Sequence, residues 1–517
     1  MNEPHRRRYL RFAAASAAVG ATSLAGTLRA STGAPVSPPK PAIPPAAAVT
    51  FSIQSAGVRA SGRRFVLNDA SRLNPVPVHS HWTADLRDEA FFLGMLHGQL
   101  RSAASLRRPF VASGARHSMG GQSLPRDGHA LTLAINICEP DTRSKVFRVH
   151  AGARWSQVID KLDGIGFSPA VMQSNSDFSV GATFAVNAHG WPAPFGPFGS
   201  TVRAFRIMLA DGTRVNCSRD ENPDLFALSM GGYGLFGVLI DLDVEMVENQ
   251  LLRPTRERLA GDAAGARFAK VIQSDRSVRM AYGRLSVARS GFLEDALLVT
   301  YRPVATDRPL PPAGTGGLFA SVSREVFRAQ IGSEPAKRAR WIAETAINPS
   351  VGSGEATRNT LMNEPVANLA GRHANRTDIL HEYFVSPEVF PAFLAACREV
   401  ILGSRQELLN VTLRYVAPDP TSVLSYAPEP RIAAVMLFSQ VMTPEGEADM
   451  LQMTEALIDH VLRIGGTYYL PYRLHARRDQ FERSNPRHAE FAARKRHYDP
   501  GLLFRHALWD AYLSRPA

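Results

Sequence analysis

Apolar residues recur along this chain with two periods, and the change from one to the other marks out its elements. Over residues 85–106, Leu86, Ala90, Phe91, Leu93, Leu96 and Leu100 fall at helical spacing, and Arg107-Arg108-Pro109 ends the run. Residues 110–112 then read as a short strand, 130–135 as a second and 146–149 as a third. Trp155, Val158, Ile159 and Leu162 mark a helix stopped by Gly164 and Gly166. Segments 203–210 and 213–217 flank Asp211-Gly212, a hairpin signature, and a helix follows near 224–230. Ile240, Leu242, Val244 and Met246 alternate with Asp241, Asp243 and Glu245, as a half-buried strand requires.

Beyond residue 250 the composition changes. Strand-like segments occur at 296–300, 378–385, 410–416 and 432–441. Ser386-Pro387-Glu388 opens one helix, and Thr443-Pro444-Glu445 opens another that ends at Gly465-Gly466. This half predicts helices alternating with an antiparallel sheet; residues 303–377 carry no readable period. A chain of 517 residues with 45% hydrophobic positions can build two or more cores, so two domains of α+β class are the expectation.

Charge and cysteine content change this picture little. The net charge of +12 would suit an anionic partner, but Lys and Arg are dispersed apart from Arg6-Arg7-Arg8 and Arg494-Lys495-Arg496, so no nucleic-acid partner is expected. Cys138, Cys217 and Cys397 show neither a disulfide framework nor metal-ligand spacing, and no metal site is expected. The N-terminus is more telling. His5-Arg6-Arg7-Arg8-Tyr9-Leu10-Arg11 has the twin-arginine pattern, and the Ala/Gly/Ser-rich stretch 12–28 is too weakly apolar for a membrane span. Residues 1–31 are therefore expected to engage the twin-arginine export machinery, placing the protein in the periplasm or another extracytoplasmic space; an ordinary basic N-terminus and a signal anchor are the alternatives. Residues 32–70 form a Pro/Ala-rich linker and lead-in.

Two stretches carry the chemistry: residues 111–122, with Gly114, His117, Ser118 and Gly120-Gly121-Gln122, and residues 179–190, with Ser179-Val180-Gly181-Ala182-Thr183. Each reads as a tight turn. In the first, backbone N–H groups can approach a ligand while one imidazole is presented to it. The second reads as a strand end at which the Thr183 hydroxyl could bond a phosphate.

Gly114-x-x-His117-Ser118-x-x-Gly121-Gln122, then Ser179-Val180-Gly181-Ala182-Thr183, then Gly231-Gly232-x-Gly234-x-Phe236-Gly237-Val238 together resemble the FAD-binding module of the vanillyl-alcohol oxidase / p-cresol methylhydroxylase (PCMH-type) family. Cytokinin dehydrogenases and sugar-lactone and alditol oxidases are the relatives nearest by motif. The resemblance implies an FAD domain over 71–250, a substrate cap over 251–475 and a C-terminal return over 476–517. It implies FAD bound covalently through His117, although the family has glycine where this chain has Arg116. Hydrogen bonding to the cofactor without a bond, and a structural histidine, are the other readings of His117.

Ser113, Gly114, Ala115, Arg116, Ser118 and Gln122 would then line the pyrophosphate and ribose. Asp177, Val180, Gly181, Thr183 and Asn187 would form the second cofactor segment, with His189 near the isoalloxazine, Leu239 on the adenine side and Tyr472 in the return. For catalysis, Arg414 resembles the arginine of the sugar oxidases' Glu-x-Arg strand, with Thr412 in the glutamate position. Arg473 resembles the lysine of their Gly-Lys pair, and His475 is a candidate base beside it; Glu364 and Glu382 are candidates without a spacing argument. The aspartate of cytokinin dehydrogenases falls on Ser174. The implied activity is hydride transfer to flavin N5 from a small alcohol, sugar lactone, alditol or amine, with a CH–OH group preferred and oxygen, a quinone or a protein as electron acceptor. A flavin-free cell-envelope binding protein on the same fold is the rival.

Overall fold

Strand Phe110–Ser113 runs parallel to the central strand His129–Leu133, which is flanked on its other side by Ser80–Ala84. This description comes from a computed structural model, which describes residues 65–85, 88–314, 324–347, 354–366 and 373–514. The twin-arginine segment and most of the Pro/Ala linker and lead-in lie outside those residues. Helix Glu89–Ser105 crosses over the sheet, capped by Asp88, whose carboxylate accepts the Phe91 N–H. Its buried stripe is Phe92, Leu96, Leu100 and Ala103, with Phe91 left outside, so the apolar face is turned from the one the sequence suggests.

A second, antiparallel sheet has the order Arg214–Ser218, Val202–Met208, Val238–Glu248, Val146–His150, Cys138–Asp141. The predicted alternation holds along Val238–Glu248. Ile240, Leu242, Val244 and Met246 enter the core, while Asp241 pairs with Arg206 and Asp243 with Arg148 directly across the strands. Segment Val180–Ala185, expected as a strand end, is instead a short helix behind an extended Ser179.

The downstream half builds an eight-stranded antiparallel sheet. Its order is Ala356–Thr357, Leu251–Ala260, Asp295–Pro303, Met280–Leu285, Glu407–Val416, Arg431–Val441, Arg376–Val385, Thr467–Tyr468. Helices Ala264–Ser274, Phe390–Gly403 and Pro444–Arg463 supply buried apolar faces to this half. Thr443 caps the last of these through its hydroxyl, as its sequence signals. Part of the stretch without a readable period holds helix Glu334–Ile342 and helix Arg358–Met362.

After Thr467–Tyr468 the chain returns to the first sheet: Leu470 and Tyr472 carbonyls accept from Gln122, and Phe110 N–H donates to Leu503 O. Buried Asp499 pairs with Lys495 and accepts the N–H groups of Leu503 and Phe504, fixing the turn that makes this last contact. The α+β class is the one the sequence predicts.

Candidate cofactor and active site

The loop that follows Phe110–Ser113 abuts the helix Val180–Ala185 so closely that a Cβ on Gly114 would collide with Ser179. Arg116 adopts φ 55°, a left-handed conformation that glycine enters freely. The turn therefore keeps its shape where the family has glycine, and the Arg116 guanidinium donates to Thr132 Oγ1 at 2.9 Å. Among the described residues, the N–H groups of Ala115, Arg116, His117 and Ser118 have no protein acceptor. All four residues line one cavity of about 570 Å³. Consecutive unsatisfied N–H groups on a concave turn favour an anion, and a pyrophosphate fits them.

His117 also lines this cavity, its ring stacked on Phe178 at 4.2 Å. Burial holds its pKa below the ordinary value, with the Asp177 carboxylate opposing and Arg154 adding to the effect. The imidazole is thus neutral near pH 7 and keeps a nitrogen lone pair.

The second segment does other work than expected. The Val180 and Gly181 N–H groups donate to the Ala153 and Ala151 carbonyls, both at 2.9 Å, and a Cβ on Gly181 would meet Ala151 Cβ at 2.6 Å. Thr183 lines the cavity, but its hydroxyl is engaged by Gln173 Oε1 at 2.7 Å and Trp155 Nε1 at 2.8 Å. The Asn187 amide joins Asp419 to the Gly199 N–H, and the Asp177 carboxylate accepts the Val366 N–H. Leu239 sits in its strand opposite Ile207. Asp177, Val180, Gly181, Asn187 and Leu239 all lie off the cavity wall, so these positions brace the cradle from behind. Gln122 lines the cavity with its amide occupied: Oε1 accepts from Gly120 at 2.8 Å, and Nε2 donates to Leu470 O at 2.8 Å and Tyr472 O at 3.0 Å. Ser113 likewise donates to Leu131 O at 3.2 Å.

The opposite wall is one face of the large sheet. Register places Glu382 and Thr412 on either side of Val435, and Arg284 opposite Thr412, so these four form one row across four strands. All four line the cavity, as do Asn410 and Arg414 on the Thr412 strand.

Glu382 is only 4% exposed. One carboxylate oxygen meets His189 Nε2 and the other accepts the Tyr472 hydroxyl at 3.1 Å. Because a carboxylate only accepts, His189 Nε2 carries the N–H of this bond, while Nδ1 is buried without a partner among the described residues. Burial and the Glu382 charge push the Tyr472 pKa far up, so its phenol stays a donor. Arg414 bonds the His189 carbonyl at 3.0 Å and the Ser174 hydroxyl. Burial lowers its pKa and Glu382 opposes this; arginine nonetheless keeps its charge.

Two of the three predicted catalytic residues are elsewhere. Arg473 and His475 do not line the cavity; both bind Glu447 Oε1, His475 at 2.8 Å. Burial pushes the Glu447 carboxyl up, but hydrogen bonds from His475, Gln440 and Arg473 outweigh it and hold the pKa at about 2. These two side chains form an ion cluster behind the site. Glu364, by contrast, lines the cavity. Sequence reading missed Arg284, Asn410 and Trp191, which also line it; Arg284 stands on a strand that gave no readable pattern. Among the described residues no group of three or more His, Cys, Asp or Glu is placed to hold a metal, and no helix is long and apolar enough to cross a membrane.

The parallel sheet, the glycine-bearing loop with its free N–H groups and the opposing antiparallel sheet define a flavin-nucleotide domain. Residues 96–218 match the family described as FAD binding domain, a PCMH-type module. The chain is 30% identical over 165 residues to L-galactono-1,4-lactone dehydrogenase 2, mitochondrial, of Oryza sativa subsp. japonica, covering 32% of this chain and 28% of that one. It is 30% identical over 162 residues to cytokinin dehydrogenase 8 of Oryza sativa subsp. indica, covering 28% and 30%. An uncharacterized oxidoreductase of Rhodococcoides fascians is 28% identical over 148 residues, covering 28% and 34%. The chain thus spans about a third or less of the length of these relatives.

Proposed function

We propose that the protein is an FAD-dependent oxidoreductase that oxidises a small alcohol at the carbon bearing the hydroxyl. One observation carries this reading. A single cavity joins the free N–H groups of residues 115–118 to a buried carboxylate, Glu382, that His189 and Tyr472 hold from two sides.

Ala115, Arg116, His117 and Ser118 would bind the cofactor's pyrophosphate through backbone donors, and His117, neutral and facing the cavity, would be joined to the flavin's 8α carbon, the C–N bond replacing one 8α C–H bond, with two protons released to solvent and two electrons passed to the acceptor that reoxidises the flavin. When bound, FAD supplies the hydride acceptor at N5. Glu382 takes the substrate hydroxyl proton. His189 and Tyr472 fix its orientation and stabilise it as the anion, and Arg414 places a buried positive charge beside the wall where negative charge develops. Alcohol is favoured over amine because Ser174, where the cytokinin relatives resembled in sequence carry aspartate, offers no carboxylate and its hydroxyl is already bound by Arg414. Electrons pass on to oxygen, a quinone or a protein, and oxygen uptake during turnover separates the first from the others.

The test is an absorption spectrum of the purified protein and of its acid-precipitated pellet. Flavin absorbance that stays with the pellet, and leaves it in His117→Ala, is expected. A native protein that stays colourless when supplied with FAD would overturn the reading in favour of a flavin-free binding protein.

A further inference from the structure

We propose that the Arg284 end of the cavity is a carboxylate subsite, so that the substrate is a small hydroxy acid whose carboxylate and oxidised carbon are separated by a short apolar spacer. This rests on the reading that Glu382 accepts the substrate proton.

Arg284 Nη1 donates to Asn410 Oδ1 at 2.7 Å and Thr412 Oγ1 at 2.6 Å, which turns the guanidinium over the neighbouring strand. Its Nη2 has no hydrogen-bond acceptor among the described residues, and the residue lines the cavity. Arg340 Nη2 shares Asn410 Oδ1 at 3.0 Å. The carboxylate facing both guanidinium groups is Glu344, 3.1 Å from Arg284 Nε and 3.5 Å from Arg340 Nη2. Two cations on one carboxylate leave a net positive charge at this end, and Arg256 adds to it near Tyr301, which also lines the cavity. A half-buried guanidinium whose Nη2 N–H groups are unused is suited to bind a carboxylate oxygen.

The register then sets the ligand's length. From Thr412, beneath the Arg284 guanidinium, the row runs through Val435 to Glu382, two strand spacings or about 10 Å away. The floor between is Val435 with Leu437 and Leu380, so the middle of the ligand meets apolar surface. The same row explains the threonine. A glutamate at 412 would stand opposite Arg284 and neutralise it, whereas Thr412 accepts a single hydrogen bond from Arg284, beside one from Asn410, and leaves the charge available.

The experiment is calorimetric titration of the protein as purified with ω-hydroxycarboxylates of three to six carbons and with their primary amides, bound flavin being measured on the same sample. At least one acid is expected to bind roughly tenfold or more tightly than its amide. Arg284→Gln should bring that ratio to about one, and so should Thr412→Glu, which supplies an internal carboxylate without emptying the site. A ratio near one in the wild type, no binding of either series, or a ratio retained in both variants overturns the subsite. A colourless protein overturns the oxidoreductase reading instead, and calorimetry still reports on the subsite.

Discussion

A carboxylate as buried as Glu382 would be expensive if it stood alone, and two hydrogen-bonding partners together with the nearby Arg414 charge offset that cost. Its position makes a prediction about rate. Glu382→Gln keeps the size and a hydrogen-bonding end but removes the proton acceptor, so kcat should fall by about 10² to 10⁴ with flavin content unchanged. Steady-state kinetics beside an absorbance measurement of flavin check this; a kcat within a few-fold of wild type would remove Glu382 from the chemistry. Residues set by the loop's backbone were legible from the sequence. Gly114 and His117 both line the cavity, and Arg116 holds the left-handed turn of the glycine it replaces. Side chains whose role depends on which way a strand or return loop faces were not. Tyr472 enters the cavity while Arg473 and His475, one and three positions later, turn to Glu447. Adjacency in sequence carries no sign for that turn, and Glu382 had no motif around it at all.

Between elements, the decisive joint is the one that ties the loop 114–122 to the segment 469–475. Gln122, 5% exposed, bridges them with two hydrogen bonds and makes a third to Gly120 within the loop, and Met119 N–H adds one across to Pro471 O at 2.8 Å. Gln122→Ala leaves the Gly120 N–H and two carbonyls unpaired in a buried place, which should cost about 1–3 kcal/mol. Tyr472, whose hydroxyl reaches Glu382, belongs to the loosened segment. A lower midpoint in denaturant unfolding together with a reduced kcat is therefore expected; lost stability with kcat untouched would show that the joint is not what positions Tyr472.

Elements were legible where one face is polar and the other apolar, as along Val238–Glu248. Leu251–Ala260 escaped because its Arg and Glu residues fall on both faces of a half-exposed strand, and Met280–Leu285 because Gly283 and Arg284 interrupt a short apolar run. The helix Val180–Ala185 was masked by a Val-Gly start that local propensity assigns to a strand or turn.

Across the whole molecule, buried histidines couple stability to pH. Burial holds His150 and His506 at about 4, and burial with the charge of His475 holds His381 at about 3. Each titrates near 6.5 when the chain unfolds, so between about pH 6.5 and 4 the unfolded chain binds more protons than the folded one. Above pH 6.5 their titration leaves stability unchanged, and as pH falls through that window it lowers stability, by up to roughly 3 kcal/mol for a group shifted as far as His506. Glu447, held at about 2, acts in a lower window, since its contribution begins to fall only near the ordinary glutamate value. The net charge of +12 steepens the trend, because each proton taken up adds to a surplus of like charge. The thermal midpoint should therefore drop steadily from pH 7 to 4.5, before carboxylate protonation dominates. A midpoint that stays flat to pH 5 would mean that these histidine sites relax to admit the charged ring.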